Sequence, residues 1–189
     1  MTRHVSTPTL PNVTARVRRS WLIAAGSAVA ASVLTGAVLL RLQREHGSLG
    51  DPLSPRATEE AVAAHTRALM AGQTIEVASS DQHTVRPWLS ARLSFAPKVP
   101  DLSLQGFELV GGRRDVLGGQ AVAVLVYRRR QHIVCAFIQP HDGESPRQAR
   151  VVRGFNVIAM AHGGMAYLIV SDLNANELGD FADLQRSAG

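Results

Sequence analysis

The sequence predicts an α+β protein: a single transmembrane helix followed by an antiparallel β-meander sheet packed with two helices. Three observations carry this expectation. The twenty residues Trp21–Leu40 hold no charge. Between residues 107 and 170, short β-branched apolar segments are punctuated by Gly-Gly pairs, the pattern of strands joined by tight hairpins. At 55–71 and 175–185, apolar residues recur at helical spacing behind capping residues.

The uncharged run reads WLIAAGSAVAASVLTGAVLL. At the α-helical rise, about twenty residues span the hydrocarbon core of a bilayer, about 30 Å. Arg3, Arg16, Arg18 and Arg19 precede it, and Arg41, Arg44 and Glu45 follow. The positive-inside bias then sets the amino terminus in the cytoplasm. The expected organisation is a basic cytoplasmic tail (1–20), a transmembrane helix (21–40), a linker (41–54) and an extracytoplasmic sensor-like domain (55–189). Two other readings compete for the run. One is a cleaved signal peptide with Ala28-Val29-Ala30 as its A-x-A site. The other is a twin-arginine export signal on Arg18-Arg19-Ser20-Trp21-Leu22.

Beyond the linker, a helix is expected from Pro55 to Ala71. Ser54 is its N-cap, Pro55 stands at the first helical position, and Gly72 ends it. Val62, His65 and Leu69 share one face. Ile75–Ala78 reads as a short strand. Ser79–Trp88 reads as irregular, with a helical turn or two from Pro87 to Leu93. Pro97 and Pro100 hold Phe95–Asp101 extended. Strands follow at 107–110 and 113–116, around a bend or bulge at Gly111-Gly112. A Gly118-Gly119 hairpin leads into a strand at 121–128. Arg129-Arg130-Gln131 turns the chain into 132–138. Pro140–Arg147 reads as a polar loop, and 155–161 and 166–170 flank a turn at Gly163-Gly164. The last helix is capped by Asn174 with Glu177 three residues on. The sheet expected from this is a meander of about five strands.

Charge and motifs narrow the chemistry. Residues 41–189 carry 16 basic and 15 acidic groups, so the net charge of +5 comes mostly from the tail. That balance argues against a nucleic-acid partner. The lone Cys135 excludes an intrachain disulfide and every zinc site needing two or more cysteines. No nucleophile elbow, P-loop, dinucleotide fingerprint or H-E-x-x-H occurs. The expectation is a protein that is not an enzyme and carries no cofactor and no metal.

The candidate partner-binding residues are Asp81, His83, Trp88, Arg129, Arg130 and His132. Asp81 stands two residues before His83, where a carboxylate can orient an imidazole. Trp88 closes the same polar cluster, DQHTVRPW. A metal or ligand site requires His83, His132 and His162 to converge. Arg128-Arg129-Arg130 at a hairpin tip reads either as a solvated basic turn or as a seat for an acidic partner or lipid headgroups. His65, on the apolar stripe of the first helix, reads as a core histidine.

Six segments occur in order: DQHTVRPW (81–88), FAPKVPDL (95–102), GFELVGGR (106–113), AVAVLVYRRRQH (121–132), RGFNV (153–157) and SDLNANEL (171–178). Together they resemble the extracytoplasmic domain of membrane-anchored proteobacterial anti-sigma factors of the transmembrane transcriptional regulator type. The resemblance covers about residues 57–185. It implies an inner-membrane, single-pass protein with a periplasmic C-terminal domain. It also implies transmission of an envelope signal to transcription through protein contacts. The implied partners are a sigma factor or a sigma-binding partner chain, reached indirectly, an envelope protease and membrane lipid. In that family an amino-terminal domain, often with an H-x-x-x-C-x-x-C zinc motif, holds the sigma factor. The 20 residues before the run carry no cysteine, so the sensor half is expected in this chain, with the output half in an upstream frame or a second chain, or with the chain a remnant. The alternative expectation is an exported ligand- or metal-binding module of the envelope.

Overall fold

The computed structural model describes residues 51–188. The basic tail, the uncharged run and most of the linker lie outside the described residues. Among the described residues, no helix is long and apolar enough to cross a membrane.

Helix α1 (Pro55–Met70) begins where the capping residues place it. Ser54 Oγ accepts the Ala57 N–H at 3.1 Å, and Pro55 needs no donor partner at the helix start. Its buried stripe is made of small residues: Ala57, Thr58, Ala61, Val62, Ala64, His65 and Ala68. Leu69, expected on that stripe, is 39% exposed. It sits on the helix's last turn, one position beyond Ala68.

Strand β1 (Val77–Ala78) is only two residues long. Helix α2 (Gln82–Ser90) corrects the irregular stretch expected at 79–88. The start signal is Asp81. Its Oδ1 accepts the His83 N–H at 2.8 Å and its Oδ2 accepts the Thr84 hydroxyl at 3.2 Å, so the helix starts five residues before Pro87. Proline deprives the helix of one internal donor, and the burial of Val85 and Leu89, one turn apart, compensates.

A 3₁₀ turn (Ser103–Gln105) leads into β2 (Glu108–Leu117), β3 (Gln120–Arg129), β4 (His132–Pro140), β5 (Ser145–Val152), β6 (Phe155–His162) and β7 (Met165–Ser171). Helix α3 (Ala175–Ser187) closes the chain, with Asn174 Oδ1 accepting the Glu177 N–H at 3.0 Å. Among the described residues the fold is therefore α+β with a seven-stranded antiparallel sheet and three helices, two strands and one helix more than expected there.

The sheet order is β1-β2-β3-β4-β7-β6-β5. This is not one meander. Two three-stranded meanders, β2-β3-β4 and β5-β6-β7, are joined through β4 and β7. The expected polar loop 140–147 shrinks to His141–Glu144, which carries the chain from the middle of the sheet to its far edge. It crosses over the β6–β7 turn, where the His141 N–H donates to Gly164 O at 3.1 Å and the Gly163 N–H to Glu144 Oε1 at 2.9 Å. Strand β5 (SPRQARVV) escapes the sequence reading because it is an edge strand. Most of its residues are exposed, so it shows no apolar alternation, and Pro146 and two arginines blunt its free side.

Gly111-Gly112 marks a bulge, with the register shifting between Leu109 and Gly111. It also lets other elements come close. A Cβ on Gly111 would lie 2.0 Å from Val77 O, and one on Gly112 3.0 Å from Val85 Cγ1. The pair therefore admits both β1 and α2 to the sheet.

Both sheet faces are covered. One holds Leu125, Tyr127, Ile138 and Ile169 beneath α2 and α3, which add Leu89 and Phe181 to the same cluster. The other holds Val124, Val126, Cys135, Phe137, Val157 and Val170 beneath α1.

Candidate functional site

The six candidate residues do not form one site. Asp81 does not orient the His83 imidazole, because its carboxylate caps α2 through the His83 backbone N–H and the Thr84 hydroxyl. The His83 side chain is exposed. Trp88 is half-buried on the flank of α2, with the Arg92 guanidinium 4.2 Å from its ring centroid and Arg114 at 6.0 Å.

His132 starts β4 and His162 ends β6. Both strands pair antiparallel to β7, so they run parallel and these two histidines stand at opposite ends of the sheet. Convergence of His83, His132 and His162 is excluded by topology. Among the described residues, no group of three or more His, Cys, Asp or Glu side chains is arranged to hold a metal ion. His132 Nδ1 lies 3.0 Å from Asp172 Oδ1, out of line for a hydrogen bond. His162 Nδ1 lies 2.9 Å from Glu144 Oε2, and this contact with the Gly163 N–H holds the Glu144 carboxyl below its ordinary range.

The arginine triplet is not a free basic turn. The turn is formed by Arg130 and Gln131, with Arg130 at φ 55 and Arg129 paired to His132 in the ladder. Arg128 pairs with Glu108 at 2.7 Å. Arg129 Nε donates to Glu177 Oε1 at 2.8 Å, and its Nη1 donates to Gln105 O at 2.9 Å. The same guanidinium lies 4.5 Å from the Phe107 ring centroid. Arg130 also donates to Glu177. The hydrogen bond from Arg129 is the main reason the Glu177 carboxyl titrates below its ordinary range. Two of the three arginines thus lock the β3–β4 hairpin tip to the first turn of α3.

A second set of buried polar groups lies under α1. Arg113 is 5% exposed. Its Nη1 donates to Thr74 O at 3.1 Å and approaches Cys135 Sγ at 3.8 Å, and its Nη2 donates to Asp115 at 3.2 Å. Its guanidinium carbon lies 5.5 Å from the Phe137 ring centroid. Cys135 is fully buried, and burial raises its thiol pKa despite the neighbouring Arg113. His65 is 1% exposed, and neither ring nitrogen has a hydrogen-bond partner. Its ring stands edge-on to Phe155 at 5.1 Å. Burial, and secondarily the Arg113 charge, lower its pKa to about 4 against the weaker pull of Asp172.

The sequence reading identified His65 as a core histidine and missed Arg113 altogether. The missed signal is the Arg113–Asp115 pair, which shares one strand face at i, i+2 on β2. On the opposite face, the Tyr127 hydroxyl donates to Pro100 O at 2.8 Å, and burial raises its pKa.

An open cleft of about 560 Å³ lies between β5 and α3, lined by Glu144, Pro146, His162, Asp183, Arg186 and Ser187. Its carboxylates are both engaged inside the fold, Glu144 by His162 and Gly163 and Asp183 by Arg147 at 2.9 Å. No known protein family, no curated protein and no solved structure matches this chain.

Proposed function

We propose that this chain is the anchor and sensor portion of a membrane-anchored anti-sigma-factor-like regulator. It transmits an envelope signal to transcription by protein–protein contacts rather than by catalysis. The observation that carries this reading is the uncharged run Trp21–Leu40 behind four arginines, followed by the six ordered segments of the resemblance. Those segments fall on the joints of the fold. DQHTVRPW spans the cap and body of α2. GFELVGGR carries the bulge that admits β1 and α2. AVAVLVYRRRQH ends in the hairpin tip tied to Glu177, and SDLNANEL caps α3.

On this reading the chain lies in the inner membrane with its amino terminus in the cytoplasm and residues 55–189 in the periplasm. Its partners are a sigma factor or a sigma-binding chain, an envelope protease and membrane lipid, with no nucleic acid bound directly. The test has two arms. A reporter active only outside the cytoplasm, fused to Gly189, is expected to be active, and a cytoplasm-only reporter at the same position silent; the reverse overturns the topology. Affinity capture of the full chain from solubilised membranes is expected to recover a sigma factor or a sigma-binding protein, and recovery of neither overturns the regulatory assignment.

A further inference from the structure

The seating of α1 on the sheet has an unusual weak point. Besides His65, the largest side chain in its buried stripe, the helix meets the sheet through four alanines, Thr58 and Val62. A buried imidazole ordinarily has at least one nitrogen in a hydrogen bond. His65 has none, and its only directional contact is the Phe155 ring. The neutral ring tolerates this at modest cost, whereas a buried cation without a partner does not.

The surrounding charges offer little relief. From β2, Arg113 faces α1 with its guanidinium buried, and Asp115 beside it is already engaged by that guanidinium. From the end of β7, Asp172 is the nearest group that would favour a charged imidazole, but its side chain is 57% exposed and lies against His132. From β5 and its turn come further cations, Arg150 held on Gln148 and Arg153 held on Glu59. From β4 the group is the Cys135 thiol, and from β6 the facing residues are apolar or aromatic. On α1 itself, Arg56 is engaged with Glu60, and Glu60 also accepts the Gly118 N–H. Arg67 lies on the exposed side of the helix.

We propose that the docking of α1 is acid-labile: protonation of His65 drives this helix, the element joining the sheet to the amino-terminal segment, off the face it covers. The opposite face keeps its packing, so the opened form retains the sheet with α2 and α3 in place. This inference goes beyond the regulatory reading and does not depend on it.

The chain carries its own reporter, because its single cysteine, Cys135, is fully buried in the cluster beneath α1. Full-length protein in detergent micelles is to be labelled with a pyridyl disulfide, which reacts with thiols in acid. The rate is normalised at each pH to that of the urea-unfolded chain. At pH 7, Cys135 is expected to be protected. Between pH 6.5 and 4 the normalised rate is expected to rise by up to about two orders of magnitude, the population change that a His pKa lowered to about 4 allows. H65L and H65Q, neither able to take the proton, are expected to stay protected over the same range, and H132A to behave as the parent. Parental protection that persists at pH 4 overturns the proposal, as does acid exposure in H65L and H65Q equal to the parent's. Acid exposure lost in H132A assigns the switch to His132 and overturns it as well. Should H65L fail to fold, H65Q alone decides.

Discussion

The two faces of the sheet are built on different principles. Beneath α2 and α3, Phe181 packs edge-to-face on Phe107 at 5.0 Å and on Tyr127 at 5.1 Å. Large side chains interlock there, and the buried Tyr127 hydroxyl has its acceptor in Pro100 O. Beneath α1, the helix contributes mostly methyl groups, and the sheet contributes a buried guanidinium, a thiol and valines. Aromatic burial stabilises in proportion to the area removed from water. An alanine stripe removes little area, so α1 sits close but lightly. The difference teaches where this molecule can open. The α2–α3 face is the body of the fold, and the α1 face is the one whose stability depends on the protonation of a single ring.

The sharpest way to break this comparison is to weaken the strong face. Phe181→Ala is expected to destabilise by about 4 kcal/mol, from lost burial plus the cavity left among Phe107 and Tyr127. Chemical denaturation of the full chain in micelles measures it, and a loss comparable to that of an alanine-face substitution would erase the distinction.

The pH dependence of the α1 face comes next. The folded-state His65 pKa of about 4 lies below its ordinary value of 6.5. The unfolded chain therefore takes up the proton first as pH falls. The stabilising effect is fully present above pH 6.5 and is lost between 6.5 and 4. Relative to His65→Leu, the parent is expected to lose about 3 kcal/mol over that interval. Parallel melting curves for the two proteins at pH 7 and pH 4 check this.

Crowding α1 sharpens the contrast further. Ala61 is fully buried at the centre of the stripe, and Ala61→Leu is expected to cost about 2 kcal/mol by forcing the helix off the sheet. The same change is expected to raise Cys135 labelling at pH 7, where the parent is protected. The smallest effect expected is that of Asp81→Ala, about 1 kcal/mol for the lost cap of α2. Circular dichroism is expected to report a shorter α2, with the thiol labelling of Cys135, on the other face, unchanged.

What was legible in the sequence was local. The caps at Ser54 and Asn174, the turns at Gly118-Gly119 and Gly163-Gly164 and the bulge at Gly111-Gly112 all stand where four to six consecutive residues place them. Asp81, read as an aid to the His83 ring, proves instead to be the cap of α2. The strand β5 was not legible, because a strand with a solvated edge need not alternate in hydropathy. The candidate site was the least legible part. Its arginines are engaged by Glu177, nearly fifty positions along the chain.

By itself, then, the sequence determined an uncharged run of bilayer length, an α+β composition, and the starts, stops and turns of most elements. Each of these depends on near neighbours, whose steric and hydrogen-bonding preferences act within a turn or two. Only the tertiary structure decided that β4 pairs with β7, that Arg113 and His65 share a buried face, and that Arg129 and Arg130 of the hairpin tip are tied to Glu177 of α3. Those outcomes join residues far apart in the chain, and they follow from how two meanders and three helices together exclude water.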